Sequence, residues 1–340
     1  MKQHPSRRKF SSFTLAAFAL AACAFSVGAL AQTSRAGATT DASWPTKAVK
    51  LMVGFPGGSS PDLVARALAE PLSKALGQPV VVENRPGAGG NIAADLVAKS
   101  SDNHTIGIMI NGNLTIAKLL NPKTPFDPAI DLAPISLIAT APLVLATNAQ
   151  TSYVDGQDFF KQARAAGNQW NYGTPGNGTV GHIGMEYLKA KTQIDPVHVP
   201  FPGNPQVITN LIGGQINLSL LPPGLALAQI RAGKLKAIGV TSSSRSPLAP
   251  ELPSLAEAGV KDFQLEIWTA AAAPTSMPKP VLNRLSRLFS EIARSPEMRQ
   301  KLNAQGWQVA GTSAEGLANR IKADTTLLGG VIASRGIRAD

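Results

Sequence analysis

The chain has 340 residues, room for about two ordinary domains and a sizeable core. Apolar residues make up 44% and charged residues 16%, which excludes a long disordered or coiled-coil protein, since those need few apolar side chains or abundant charge. The formal net charge is +11, but part of it belongs to a separate leading segment.

That segment is MKQHPSRRKF, with Lys2, Arg7, Arg8 and Lys9, followed by an apolar stretch from Phe13. A basic start, an apolar run and the small-x-small pattern Ala29-Leu30-Ala31 describe an export signal over residues 1–31. Ser6 to Phe10 resembles the twin-arginine motif, and Leu20 to Cys23 matches a lipoprotein box. The apolar region runs on past Cys23 to its own cleavage site, so we expect removal after Ala31 and a chain released to the periplasm.

Without those residues, 28 basic side chains face 21 acidic ones, a balance of +7. No Lys/Arg stripe is interleaved with stacking aromatics, so nucleic acid is not an expected partner. Cys23 is the only cysteine and leaves with the signal, which removes disulfides and thiol nucleophiles from the expected mature chain. Beyond Ala31 no apolar run reaches the roughly 18 residues of a membrane span.

After a Ser/Thr/Gly/Ala linker over residues 32–43, short apolar runs alternate with helical patterns, the grammar of βα units. Val49 to Gly54 reads as a strand. Ser60 then caps a helix with Pro61 at its first position and Val64, Leu68, Leu72 and Leu76 on one face, and Gly77 closes it. Val80 to Val82 is a second strand, Asn91 caps a helix, and Thr105 to Ile110 is a third strand ending at Asn111-Gly112-Asn113. The pattern resumes with a strand from Trp170 to Thr174, a helix near Thr179, a strand from Val197 to Phe201 and a helix capped by Asn204 that ends at Gly213-Gly214. Ile216 to Leu220, a helix from Pro223 to Ala232 and Leu235 to Thr241 complete a second block. Phe263, Leu265 and Ile267 alternate with polar residues, as in a half-exposed strand. The last seventy residues are mainly helical, with Val281, Leu285, Leu288 and Ile292 opposite Arg284, Arg287, Glu291 and Arg294.

Catalytic constellations are sparse. His104, His182 and His198 have no metal-pair spacing, and neither a G-x-S-x-G elbow nor a phosphate loop occurs. Gly176 to Gly181 satisfies G-x-G-x-x-G, but Asp195 precedes the next strand instead of following it, the wrong end for a ribose contact. No cofactor or metal is expected.

What the Gly-rich corners share is their place: Phe55 to Ser60, Asn111 to Asn113, Thr174 to Thr179 and Phe201 to Asn204 each follow a strand's carboxyl end, where open α/β sheets bind ligands. Several lead into helices whose first N–H groups are unsatisfied and favour negative charge. A small carboxylate suits such donors, with Gly58, Gly112 and Gly178 letting it approach the main chain.

These same stretches carry a family resemblance. Val53 to Arg66 (VGFPGGSSPDLVAR), Gly77 to Asn91, Asn171 to His182 (NYGTPGNGTVGH) and Arg231 to Pro247 resemble the Bug-type extracytoplasmic solute-binding receptors of tripartite tricarboxylate transporters, over about Trp44 to Asp340. The resemblance implies an α/β, two-lobed periplasmic-binding-protein fold (type II-like), each lobe a mixed, mostly parallel sheet flanked by helices. Lobe 1 would comprise 44–147 plus 269–340 and lobe 2 148–268, with crossings near Thr147 and Trp268. It also implies capture of a small organic carboxylate in the interlobe cleft by a monomer, without catalysis, and delivery to membrane permease subunits. A sensor subunit without its own permease, or an exported enzyme using His182 or His198 as base, are the alternatives. The binding residues it nominates are Phe55, Pro56, Gly58, Ser59, Ser60, Asn111, Gly112, Asn113, Gly176, Asn177, Gly178, Thr179, Phe201 and Asn204. Where family members often read P-F-P-P-G-G-S-T-D, Gly54, Gly57, Ser59 and Pro61 depart. Phe201, Pro202 and Leu221 also replace the family's common Tyr, Lys and Asp, so the expected pocket is less polar and suits an apolar or aromatic monocarboxylate. Mass spectrometry of the mature chain is expected to find Gln32 at its start, and a lipid-bearing Cys23 would overturn that reading.

Overall fold

The computed structural model describes residues 44–338; the export segment, Cys23 and the linker to residue 43 lie outside the described residues. In the body from Pro45 onward the strands are β1 (Val49–Val53), β2 (Val80–Asn84), β3 (Thr105–Ile110), β4 (Leu132–Pro142), β5 (Val144–Asn148), β6 (Asn171–Thr174), β7 (Val197–Pro200), β8 (Leu218–Leu221), β9 (Leu235–Val240), β10 (Glu266–Pro274) and β11 (Gln308–Val309). They form two sheets, ordered β11-β4-β10-β3-β1-β2 and β7-β6-β8-β5-β9. The fold is the expected mixed α/β arrangement in two lobes, one sheet in each.

Where a helix carries the chain back between strands, pairing is parallel: β2-β1-β3 in the first lobe and β7-β6-β8 in the second. β3 is buried along its whole length, as strands covered on both faces are. Strands that arrive from the other lobe enter from the opposite end and pair antiparallel, β10 with β3 and β4, and β5 with β8 and β9.

The two crossings fall earlier than the expected Thr147 and Trp268. Thr147 lies inside β5, opposite Leu218 and Lys236, and Trp268 lies inside β10, opposite Thr140. The chain changes sheet at Leu143, where Pro142 ends β4 because it has no N–H for a further ladder bond, and returns between Val240 and Glu266. Thr241, fully buried, stitches both passages. The Leu143 N–H donates to its Oγ1 (2.8 Å), and its hydroxyl donates to the Leu265 carbonyl (2.6 Å).

Helix boundaries follow local chemistry closely. Ser59, extended at ψ 159, is the N-cap of the Ser60–Leu76 helix, one residue ahead of the expected Ser60, and left-handed Gly77 ends it. The caps of the Asn91–Ala98 and Asn204–Ile212 helices are Gly90 and Gly203, so Asn91 and Asn204 are first helical residues instead. Asn111 to Asn113 opens a short helix, Asn111–Thr115, and is not a plain turn. Phe263, Leu265 and Ile267 are buried while Gln264 is exposed and Glu266 half-buried, the alternation expected there, but the strand itself starts only at Glu266, so Phe263 and Leu265 precede it. The alternation arises because this return passage packs its apolar side chains inward without ladder pairing.

Met52, Val97, Met109, Phe126, Leu137, Trp268 and Leu317 belong to the first lobe's core, and Val207, Leu211, Ile216, Leu221, Leu227 and Val240 to the second's. The final helices return to the first lobe. Lys279–Arg294 packs against β4 and buries Val281, Leu285, Phe289 and Ala293, with Leu288 and Ile292 half-buried at its margin. Ala314–Arg335 is locked to β10 by the indole of Trp268, whose Nε1–H donates to Asp324 Oδ2 at 2.6 Å.

Candidate functional site

The carboxyl ends of β1 and β3 face those of β6, β7 and β8, and the Gly-rich corners meet there main chain to main chain. A Cβ on Gly112 would lie 2.5 Å from the Gly178 carbonyl oxygen, one on Gly89 would lie 2.4 Å from that of Asn177, and one on Gly203 would lie 2.8 Å from Pro56 Cδ. The lobes are therefore shut, and no side chain fits between these corners.

Behind the contacts is a cavity of about 20 Å³, lined from the first lobe by Phe55, Ser59, Pro61, Ile110 and Ile267 and from the second by Pro175, Thr179, Val180, Gly181, Asn204, Leu220 and Pro222, with Leu143 of the crossing. That is space for a single water, so a larger guest enters only as the lobes part. The first turns of the Ser60–Leu76 and Val180–Thr192 helices border it from opposite sides. At the second helix the leading N–H groups of Val180 and Gly181 have no intrahelical acceptor and carry the positive end of the helix dipole. At the first, Pro61 has no N–H and the Ser59 N–H is spent on the Pro56 carbonyl, so the Ser59 hydroxyl is the donor there. Ser59 Oγ and Asn204 Oδ1, one from each lobe, are buried without a hydrogen-bond partner. No charged side chain lines the cavity.

The corner after β1 is held from behind by a buried carboxylate. Asp62, 1% exposed, accepts from the Gly58 N–H (2.8 Å), from Arg66 Nε (3.0 Å) and from Asn84 Nδ2 (2.9 Å). Asn84 also donates to the Phe55 carbonyl. Burial alone would raise the Asp62 pKa, but the Arg66, Gly58 and Asn84 hydrogen bonds and the Arg66 charge outweigh it and hold the carboxyl below its usual range.

The corner after β6 is held by imidazoles. The Gly178 N–H donates to His182 Nδ1 (3.3 Å), and the Gly176 N–H donates to Thr174 Oγ1 (3.3 Å), which is 2.6 Å from His198 Nε2. The two rings stack at 4.3 Å, and His198 stacks in turn on Tyr172 at 4.8 Å. Burial lowers the pKa of both histidines, that of His198 to about 3 with the charges of His182 and Lys189 adding to it.

Of the residues nominated from sequence, Phe55, Ser59, Thr179 and Asn204 come together on the cavity. Pro56 and Gly112 make the seam, Gly58 serves the Asp62 anchor, and Gly176 rests near Gly89. Ser60 borders a separate hollow with Gly224 and Trp307, while Asn177 and Gly178 also line a larger cavity of about 350 Å³ outside the seam. The strand ends do not converge on that larger cavity, which is walled mainly by the Asn91–Ala98 helix and residues 117–125. Asn111 turns away and donates to the Glu266 carbonyl (3.0 Å), Asn113 ties Gly89 to Asn91, and the Phe201 ring packs near Gly173. Ile110, Leu143, Pro175, Leu220, Pro222 and Ile267 were not foreseen. Each looks like an ordinary core residue in its own segment, and their joint position at strand ends is set by the topology.

A double-lobed α/β body with one cleft ringed by strand ends defines a binding protein of the periplasmic type. The sequence model of the tripartite tricarboxylate transporter family receptor (TctC) matches residues 64–337, and the chain belongs to that family. It is 32% identical over 266 residues to protein BugT of Bordetella pertussis, covering 78% of this chain and 82% of that one. It superposes on R. palustris Rpa4515 solved with adipate (TM-score 0.84, 29% identity, 87% of this chain and 99% of that one). It likewise superposes on MatC of Rhodopseudomonas palustris solved with malate (TM-score 0.81, 29% identity, 85% and 100%).

Replacing Asp62 by Ala orphans the Gly58 amide and removes one acceptor from Arg66 and from Asn84, which keeps its bond to the Phe55 carbonyl, so urea unfolding is expected to show a loss of about 1–3 kcal/mol at neutral pH. Because the folded pKa is depressed, that stabilisation is complete above the ordinary value of 3.8 and is lost as pH falls through the folded value. The gap between the two proteins should narrow in acid, and a gap independent of pH would contradict the assignment.

Proposed function

We propose that this chain is an exported, periplasmic receptor that captures a small organic carboxylate between its lobes and delivers it to the permease subunits of a tripartite tricarboxylate transporter. The observation that carries the reading is that strand-end corners of both lobes meet on one cavity without a charged side chain, where the unpaired Ser59 hydroxyl and the first N–H groups of the Val180–Thr192 helix are free to donate. Oriented main-chain donors satisfy a carboxylate without a counter-ion. Leu143, Leu220, Ile110 and Ile267 offer nothing to a second charge, and burying one unpaired is costly. The favoured guest is therefore an apolar or aromatic monocarboxylate. A dicarboxylate with one group at each helix start is the second reading, supported by the two facing N-termini and by the adipate and malate of the neighbours.

An enzymatic role for His182 or His198 finds no support in the site, because neither ring lines the cavity and both serve the turn beside it. Lobe 1, by this reading, spans the first sheet with its returning helices and lobe 2 the second sheet, and capture is their closure.

Calorimetry with benzoate, adipate, malate and citrate tests the ligand class. Benzoate is expected to bind; tight citrate binding with no aromatic-acid binding would reject the proposal. Gly112→Ala places a methyl against the Gly178 carbonyl. It is expected to weaken benzoate binding about tenfold to a hundredfold, the worth of about 1–3 kcal/mol of overpacking, while leaving the melting temperature nearly unchanged.

A further inference from the structure

We infer that His182 is the positioning residue of the ligand-facing turn at Gly176–Thr179, and that its hydrogen bond to Gly178 makes capture sensitive to pH. The turn has little else to hold it. Gly176 and Gly178 sit at φ 116 and 77, conformations that favour glycine, and so bring no side chains of their own. Thr179 Oγ1 closes the turn on itself by donating to the Gly176 carbonyl at 2.8 Å and accepts the His182 N–H. The anchoring to the lobe comes from the imidazole stack.

The chemistry of that anchor is one-sided. An amide N–H donates to His182 Nδ1, so Nδ1 must keep its lone pair and a neutral ring carries its proton on Nε2. A second proton would set one donor against another and place an imidazolium on the face of His198. The surroundings make that expensive. The ring is buried beside His198 of β7 and Tyr172 of β6, and Glu186 and Lys189 follow it on its own helix.

Glu186 is engaged with the Tyr172 hydroxyl and with Lys189 at 3.2 Å, and Lys189 also pairs with Asp195 at 3.3 Å. β8 brings only Leu218, Ser219, Leu220 and Leu221. On the Ala314–Arg335 helix packed alongside, Arg320 is paired with Asp324 and with Glu266. Burial and the Lys189 charge lower the His182 pKa against the opposing pull of Glu186. The anchor is therefore complete above the ordinary value of 6.5 and lost as pH falls through the lowered one.

The test uses the full mature chain labelled with nitrogen-15 glycine and ring-labelled histidine, titrated by nuclear magnetic resonance from about pH 7.5 to about pH 4.5. The Gly178 amide resonance is expected to move with the His182 ring. His182→Asn, whose Oδ1 offers the same amide an acceptor that does not titrate, should keep the amide protected and flatten its profile, whereas His182→Ala should lose protection at every pH. In parallel, benzoate affinity should fall about fivefold as the pH is taken down through the His182 titration in the unaltered protein and stay level through it in His182→Asn. A Gly178 amide that ignores His182 titration, or a His182→Ala profile like that of the unaltered chain, overturns the inference. The ligand arm rests on the function proposed above. Absence of benzoate binding in every form would reject that ligand, while the amide titration still decides the role of His182.

Discussion

Everything at the cleft depends on main chain meeting main chain. Gly112 against Gly178 and Gly89 against Asn177 let the lobes close to a separation that no β-carbon would permit. Within the first lobe the same economy places Gly54 against Gly90, so that the turns after β1 and β2 lie side by side. With side chains at these points, the starts of the Ser60–Leu76 and Val180–Thr192 helices would each face open water. Without them, the Ser59 hydroxyl and the first N–H groups of the Val180–Thr192 helix share one small enclosed space, where a dipole acts far more strongly than in bulk solvent.

Corners stripped of side chains cannot anchor themselves, and the fold supplies the anchors one layer back. Asp62 gathers the amide of Gly58, Arg66 and Asn84 behind the first-lobe turn. Behind the second, His182 takes the amide of Gly178, and Thr174, itself bonded to His198, takes that of Gly176. Asp62 and His182 are thus buried polar groups set where a turn must be held, and the residues of the two hydrophobic core clusters are aliphatic and aromatic.

Much of this was legible from local chemistry. Runs such as Thr105 to Ile110 read as buried strands because they are apolar, short and bounded by turn formers, and Gly77 and Thr179 announced helix ends in the expected way. The two strands between Leu132 and Asn148 went unread, because an apolar run shared between two sheets has no period to show where one strand stops. The crossings were displaced for the same reason. At the site, the turns could be seen but the walls could not. Ile110, Leu143, Leu220 and Ile267 share a cavity only because strands distant in sequence end at one level. Asn111 and Asn113 carried the right chemistry in the right corner, yet their amide nitrogens are committed to Glu266, Gly89 and Asn91. Composition alone does not reveal such commitments.

Thr241 gives the two passages between lobes a common fate. Its hydroxyl takes the amide of one and gives its proton to the carbonyl of the other, with main-chain bonds from Thr241 to Leu143 and from Leu265 to Thr241 beside it. Two strips of polypeptide that could have flexed like separate ropes are pinned together like the leaves of a door. The halves can swing about that pin, but shearing or corkscrewing one against the other would break both bonds of a single buried oxygen.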